Sequence, residues 1–231
     1  MYDFYLANKN YSSWSLRPWI LMRERNIPFQ ERLVPFADWS SYEKFKAFSP
    51  SGKVPCLVDQ STTVWDSLAI IEYLAEHHEG VWPTAAGARA WARSAAAEMH
   101  SGFGVLRDRC PMNCGIRVSL ASFPEDLKRD LQRICELWEE GLTRFGGPFL
   151  AGKTFTAVDA FFVPIVVRAD TYDLPLTEGA ASYAARIREL ASLKEWYEAA
   201  LLEPWREPAH EEEVQRAGVC IEDRRAAVAA G

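Results

Sequence analysis

The patterning of the chain changes once, at Gly80-Val81-Trp82-Pro83, and that change limits the folds open to it. Before it, short β-branched and aromatic runs alternate with helical periodicity. Tyr2 to Ala7 reads as a strand, Ser15 to Arg25 as a helix and Glu31 to Val34 as a second short strand. A loop and short helix from Ser40 to Phe48 leads into Ser49-Pro50-Ser51-Gly52, which breaks regular structure. Two β runs follow, Cys56 to Asp59 and Thr63 to Trp65, and their link Gln60-Ser61-Thr62 is short enough for a hairpin. Asp66 or Ser67 then caps a helix to about His77. The order βαβ-αββα predicts a small mixed sheet with helices packed on it.

After the change the pattern is helical almost throughout. Ala85 to Asp108 reads as one long alanine-rich helix. From Glu125 to Phe145, Leu127, Leu131, Ile134, Leu137 and Trp138 form a helical stripe, ended by Gly146-Gly147-Pro148. Val158 to Ala169 is apolar almost all round and predicts a central buried helix. Ala181 to Glu189 and Leu193 to Leu202 read as shorter helices, and the tail after Glu211 as a frayed one. The division expected is therefore 1–79, an α/β domain; 80–84, a linker; and 85–231, an all-α helical bundle.

Composition removes several classes of function. The 231 residues carry a net charge of −6 with no lysine- or arginine-rich block, which argues against a general nucleic-acid binder. No apolar run approaches the ~20 residues of a membrane span, and no basic region followed by an apolar core marks the N-terminus. Five scattered cysteines do not suggest a disulfide framework and fit a reducing cytoplasm. Cys110 and Cys114 have the spacing of one helical face, which is weak evidence for a bridge or a metal. The histidines show no ligand spacing, so no metal is expected.

Four stretches carry possible chemistry, each beside a plain structural reading. Ser12 and Ser13 fall where the first strand gives way to the first helix. The free N–H groups there favour an anion, although both serines also suit simple capping. Val54-Pro55 enters a strand; a cis bond would turn residue 54 toward a bound peptide, and a trans bond would be ordinary strand entry. Asp66-Ser67 opens a helix, as a cap or as a seat for a ligand with an ammonium and a carboxylate. Thr156-Ala157-Val158-Asp159 is a capping box with Asp in place of Glu, and its structural reading is preferred.

Taken in order and at these spacings, the stretches resemble the cytosolic glutathione transferases. The matched residues are the turn Ser12-Ser13-Trp14-Ser15-Leu16-Arg17, the run Ser49-Pro50-Ser51-Gly52-Lys53-Val54-Pro55, then Asp66-Ser67 and Thr156-Ala157-Val158-Asp159. The resemblance spans about residues 2 to 202. It implies an N-terminal thioredoxin-like domain with a cis-proline, a C-terminal helical domain and a homodimer. Glutathione would be the co-substrate. Ser12, with Ser13 as the fallback, would donate a hydrogen bond to the thiolate. Val54, turned by Pro55, would pair with the cysteinyl backbone. Asp66 and Ser67 would hold the γ-glutamyl end, with Lys53 near the glycine carboxylate. Tyr11, Trp14, Arg107, Met112 and Arg168 would form the pocket for a small hydrophobic electrophile, drawing on a helix around Arg107 to Arg117. Such an enzyme serves detoxification. The serine turn is most similar to the zeta class, which includes maleylacetoacetate isomerases. This chain departs from that class at Trp14, where cysteine is usual, and at Thr171, where an arginine is expected. Isomerase activity and non-catalytic binding are the alternatives the resemblance leaves.

Overall fold

In the computed structural model, which describes residues 1–36 and 41–225, strand β1 (Tyr2–Leu6) runs through a four-stranded sheet of order β2-β1-β3-β4. β2 (Phe29–Leu33) lies parallel to β1, with Tyr2 opposite Phe29 and Leu6 opposite Leu33. The parallel crossover is made by α1 (Ser13–Glu24). β3 (Cys56–Asp59) pairs antiparallel with β1 on its other side, and β4 (Thr62–Trp65) forms the edge. Gln60, in the left-handed region at φ 53°, turns the β3–β4 hairpin. Between β2 and β3 sits the short α2 (Tyr42–Lys46), and α3 (Ser67–His77) closes this part of the chain. The Ser40 start expected for the short helix lies outside the described residues.

Phe4 and Leu6 of the sheet, Leu16 and Ile20 of α1, and Ile70, Ile71 and Leu74 of α3 are fully buried together. α1 is buried from Ser13 through Met22 except at Trp14, because its outer face is covered by the second half of the chain. The covering element is α7 (Ala157–Tyr172), in which every residue but Asp170 is buried. Such all-round burial matches its nearly unbroken apolar run. Each fully buried side chain as large as Phe161 or Phe162 stabilises the fold by about 1.5–3 kcal/mol. α6 (Glu125–Phe145), with the expected stripe inward, and α8 (Glu178–Arg188) pack near α7, while α9 (Ala191–Leu202) reaches back to α1.

Three expectations need correction. The long helix from Ala85 is two: α4 (Ala86–Ser101) and α5 (Gly104–Arg109), separated at Gly102 and Phe103. Phe103 takes a left-handed backbone at φ 54°, which cannot continue an α-helix. No helix runs on to Arg117, since Ile116–Leu120 is a strand, β5. Cys110 therefore ends α5 and Cys114 lies in the following loop, each a buried free thiol; they share no helical face. Lastly, the tail is an ordered helix, α10 (Pro208–Ala217), followed by β6 (Gly218–Asp223), which pairs antiparallel with β5. The helical part thus carries a two-stranded ribbon. Residues 226–231 of the expected helical domain lie outside the described residues.

Candidate functional site

The turn between β1 and α1 is held from a distance. The Glu203 carboxylate, buried just beyond α9, accepts the backbone N–H groups of Lys9 at 2.6 Å and Asn10 at 3.3 Å. Asn10 Nδ2 donates to the Ala200 carbonyl, and Trp196 Nε1 donates to that of Lys9. Burial pushes the Glu203 carboxyl up to about 7 despite these donors. Their effect is to fix the backbone immediately ahead of Ser12 and Ser13.

Ser12 is the N-cap of α1 and Ser13 its first residue. Both residues line a cavity of about 550 Å³, where the unpaired N–H groups of the helix start supply partial positive charge. The Ser12 hydroxyl donates to Ser15 Oγ at 2.7 Å. That of Ser13 makes no hydrogen bond with another described residue.

Lys53 and Val54 line the same cavity, presented by a loop that turns at Gly52. Gly52 has φ 64°, and a Cβ there would stand 2.4 Å from the Tyr42 ring, so only glycine fits. The Val54-Pro55 bond is cis, and Pro55 itself is buried and does not line the cavity. Asp66 and Ser67 lie off the cavity, at the start of α3. Asp66 has a left-handed backbone (φ 75°); its Oδ1 accepts the Leu68 N–H at 2.8 Å, and its Oδ2 is 3.5 Å from His100 Nε2. The buried Ser67 hydroxyl accepts a long 3.5 Å contact from Arg17 Nη1.

All five residues expected around an electrophile line the cavity: Tyr11, Trp14, Arg107, Met112 and Arg168. Arg117 does not, because it pairs with Asp170; nor does Arg109, which is directed to Asp126. Thr171 is also turned away, its hydroxyl donating to the carbonyls of Asn113 and Val167. The Trp14 ring carries two guanidiniums, Arg17 at 4.2 Å and Arg107 at 5.4 Å from its centroid. Part of the Trp14 face is thus occupied by cations. Burial, then the charges of Arg168 and Arg107, push the Arg17 guanidinium down to about 9.

One wall of the cavity was not legible in the sequence. Glu207, Pro208, Ala209, His210, Glu212 and Glu213, at and within α10, face it. Tyr11 is stacked on His210 at 4.9 Å and donates to Glu211 at 2.7 Å; Glu211 in turn holds Arg225 through two bonds. Only Val214 of α10 is buried, so the helix has almost no apolar stripe to signal it. Among the described residues no group of three His, Cys, Asp or Glu side chains is arranged to hold a metal, and no helix is long and apolar enough to cross a membrane.

Comparison with known proteins agrees with this architecture. The sequence model described as glutathione S-transferase, N-terminal domain, matches residues 11–77, and the one for the C-terminal domain matches residues 85–199. A glutathione S-transferase-like protein of Beauveria bassiana is 27% identical over 202 residues, covering 83% of this chain and 89% of its own. A probable maleylacetoacetate isomerase of Caenorhabditis elegans is 26% identical over 167 residues, 71% of this chain and 77% of its own. A glutathione transferase homologue of Burkholderia, solved with bound glutathione, superposes with a TM-score of 0.65 at 20% identity over 86% of this chain and 97% of that one.

Proposed function

The chain belongs to the glutathione S-transferase family, and on that premise we propose that it is a serine-type transferase that activates glutathione for attack on a small hydrophobic electrophile. The observation that carries this reading is the convergence of Ser12 and Ser13 with Val54 and Lys53 on one cavity at a helix start. Only a thiolate attacks well, and a free thiol has a pKa of about 8.5. Lowering it by about two units takes roughly 2.7 kcal/mol of preference for the anion. A hydroxyl donor and a helix N-terminus are the right groups to supply it. In this reading Ser12 exchanges Ser15 for the sulfur, Val54 pairs with the cysteinyl backbone, and Asp66, Ser67 and Lys53 take the charged ends. Residues 1–79 then bind glutathione and residues 85–231 the electrophile, across the 80–84 linker. Four buried, unbridged cysteines and one exposed one support a cytoplasmic location.

Ultraviolet titration of the bound thiol tests the serine. Ser12→Ala raises the pKa of bound glutathione by about one unit or more, equivalent to ~1.4 kcal/mol, while the tripeptide still binds. A shift in Ser13→Ala alone would transfer the role to the hydroxyl that is unengaged here. We also propose a homodimer; sedimentation equilibrium then gives twice the 26.2 kDa of one chain at micromolar concentration. The relation to the nematode protein favours one second reading, in which the thiolate adds to a maleyl acid and leaves again. Efficient turnover of maleylacetone, without aryl-halide conjugation, selects it.

A further inference from the structure

We infer that the electrophile carries a carboxylate, and that Arg168 together with Arg107 receives it on the buried side of the cavity. This rests on the transferase reading above and adds the charge of the second substrate to it.

The inference comes from positive charge that no ion pair among the described residues neutralises, although Asp130 lies close enough to Arg107 to offset part of its charge. Arg168, on α7, is only 4% exposed yet lines the cavity. Its Nε donates to the Cys110 carbonyl at 2.7 Å and its Nη1 to that of Pro164 at 3.2 Å; Nη2 has no partner among the described residues. Arg107, half-buried on α5, donates to the His100 carbonyl at 3.2 Å. Among the described residues neither forms an ion pair. Carbonyls orient a guanidinium but do not neutralise it, and an unpaired buried charge is costly. A third guanidinium, Arg17, adds to the same field. Among the described residues its Nε is buried without a partner and only Asp66 offsets its charge. Burial chiefly, aided by Arg107, takes Arg168 down to about 10, so it and Arg17 remain charged at neutral pH; burial lowers Arg107 as well, against the charge of Asp130.

Acids do line the cavity elsewhere, and their placement sharpens the reading. Glu207 is spent on the backbone N–H and ring of His210. Glu212, which is exposed, and Glu213 stand on α10 without pairing to either arginine. The cavity is therefore polarised, cationic at α5 and α7 and acidic at α10. A ligand with its carboxylate at Arg168 and its apolar body against Trp14 and Met112 satisfies the first without approaching the second. The carboxylates of glutathione have Lys53 and the start of α3 in the proposed pose.

The test uses a matched pair, 4-(chloromethyl)benzoate and its methyl ester. In both, the glutathione sulfur forms a bond to the benzylic carbon as chloride leaves with its electron pair, and the thiol proton passes to water. With kcat/KM divided by each uncatalysed rate, the acid is preferred by about tenfold or more. That ratio falls toward one in Arg168→Gln and Arg107→Gln. Since Arg168 also anchors two carbonyls, Arg107→Gln is the variant that keeps the test open if Arg168→Gln does not fold. Calorimetry of Arg107→Gln shows binding of S-(4-carboxybenzyl)glutathione weakened about tenfold more than that of S-benzylglutathione. An ester used as well as the acid, or equal weakening of both conjugates, overturns the inference and leaves the transferase reading standing. Failure of the unmodified protein to bind S-benzylglutathione or turn over either halide overturns both.

Discussion

The starts of α3 and α7 present the same chemistry to opposite ends. Each places an aspartate and a hydroxyl residue at the free N–H groups of a helix. At α7 the acid is saturated. Asp159 accepts the backbone N–H groups of Leu150 and Thr156, both at 2.9 Å, the Tyr183 hydroxyl at 3.0 Å and the Thr156 hydroxyl at 3.3 Å, and it is fully buried. A carboxylate has about four lone-pair sites, so nothing is left to bind a ligand. At α3 the acid has spare capacity. Asp66 makes one short bond, to Leu68, its side chain is 45% exposed, and its backbone is left-handed. A cap that is closed builds structure; a cap that is half-open can recruit something else.

Three measurements bear on that contrast. The largest effect belongs to Asp159→Ala, which strands four buried donors. We expect a loss of about 4 kcal/mol in unfolding free energy by urea titration, with glutathione affinity per folded molecule unchanged. A loss no larger than that of an ordinary exposed cap would dissolve the distinction. Next is pH. Burial pushes the Asp159 carboxyl up to about 6, above its ordinary 3.8, so the folded state holds this proton more tightly than the unfolded chain. Its contribution is greatest below the unfolded value and is lost as pH rises through 6, amounting to at most about 3 kcal/mol. Asp159→Asn therefore flattens the fall of stability between those pH values, and an unchanged slope would contradict the assignment. Smallest is Asp66→Asn, which keeps the capping oxygen and tolerates the left-handed backbone. Stability should hardly move, while calorimetry shows glutathione affinity reduced by about 2 kcal/mol, in the range of one charge-assisted hydrogen bond. Equal affinity would remove Asp66 from the proposed site.

Sequence reasoning reached these helix starts because capping is local. Thr156 and Asp159 are three residues apart and act on the same turn, and the strands and helices around Ser12, Val54 and Asp66 have strong short-range signals. What it missed is long-range or conformationally unmarked. β5 and β6 pair Ile116 with Asp223, and each is short enough that only its partner makes it a strand. Nothing about a phenylalanine announces the left-handed backbone of Phe103 that splits α4 from α5. α10 packs through Val214 and polar bonds to Tyr11, so it lacks the apolar repeat that marks α6. The cavity residues Tyr11, Trp14, Arg107, Met112 and Arg168 came from resemblance; the unpaired state of the two arginines is visible only in three dimensions.

The anchoring of the serine turn also sets an order of events. Lys9 and Asn10 are secured by Glu203, Ala200 and Trp196, at separations of 194, 190 and 187 residues. Contacts of that span, like the Tyr11–Glu211 bond across 200 residues, close very long loops at a large cost in entropy. During synthesis the strand that carries the turn emerges well before its final supports, which follow it by 187 to 194 residues. A nascent or truncated chain ending before α9 therefore has its sheet residues but not the geometry ahead of Ser12. The reactive corner is completed only when α9 and Glu203 have closed over it.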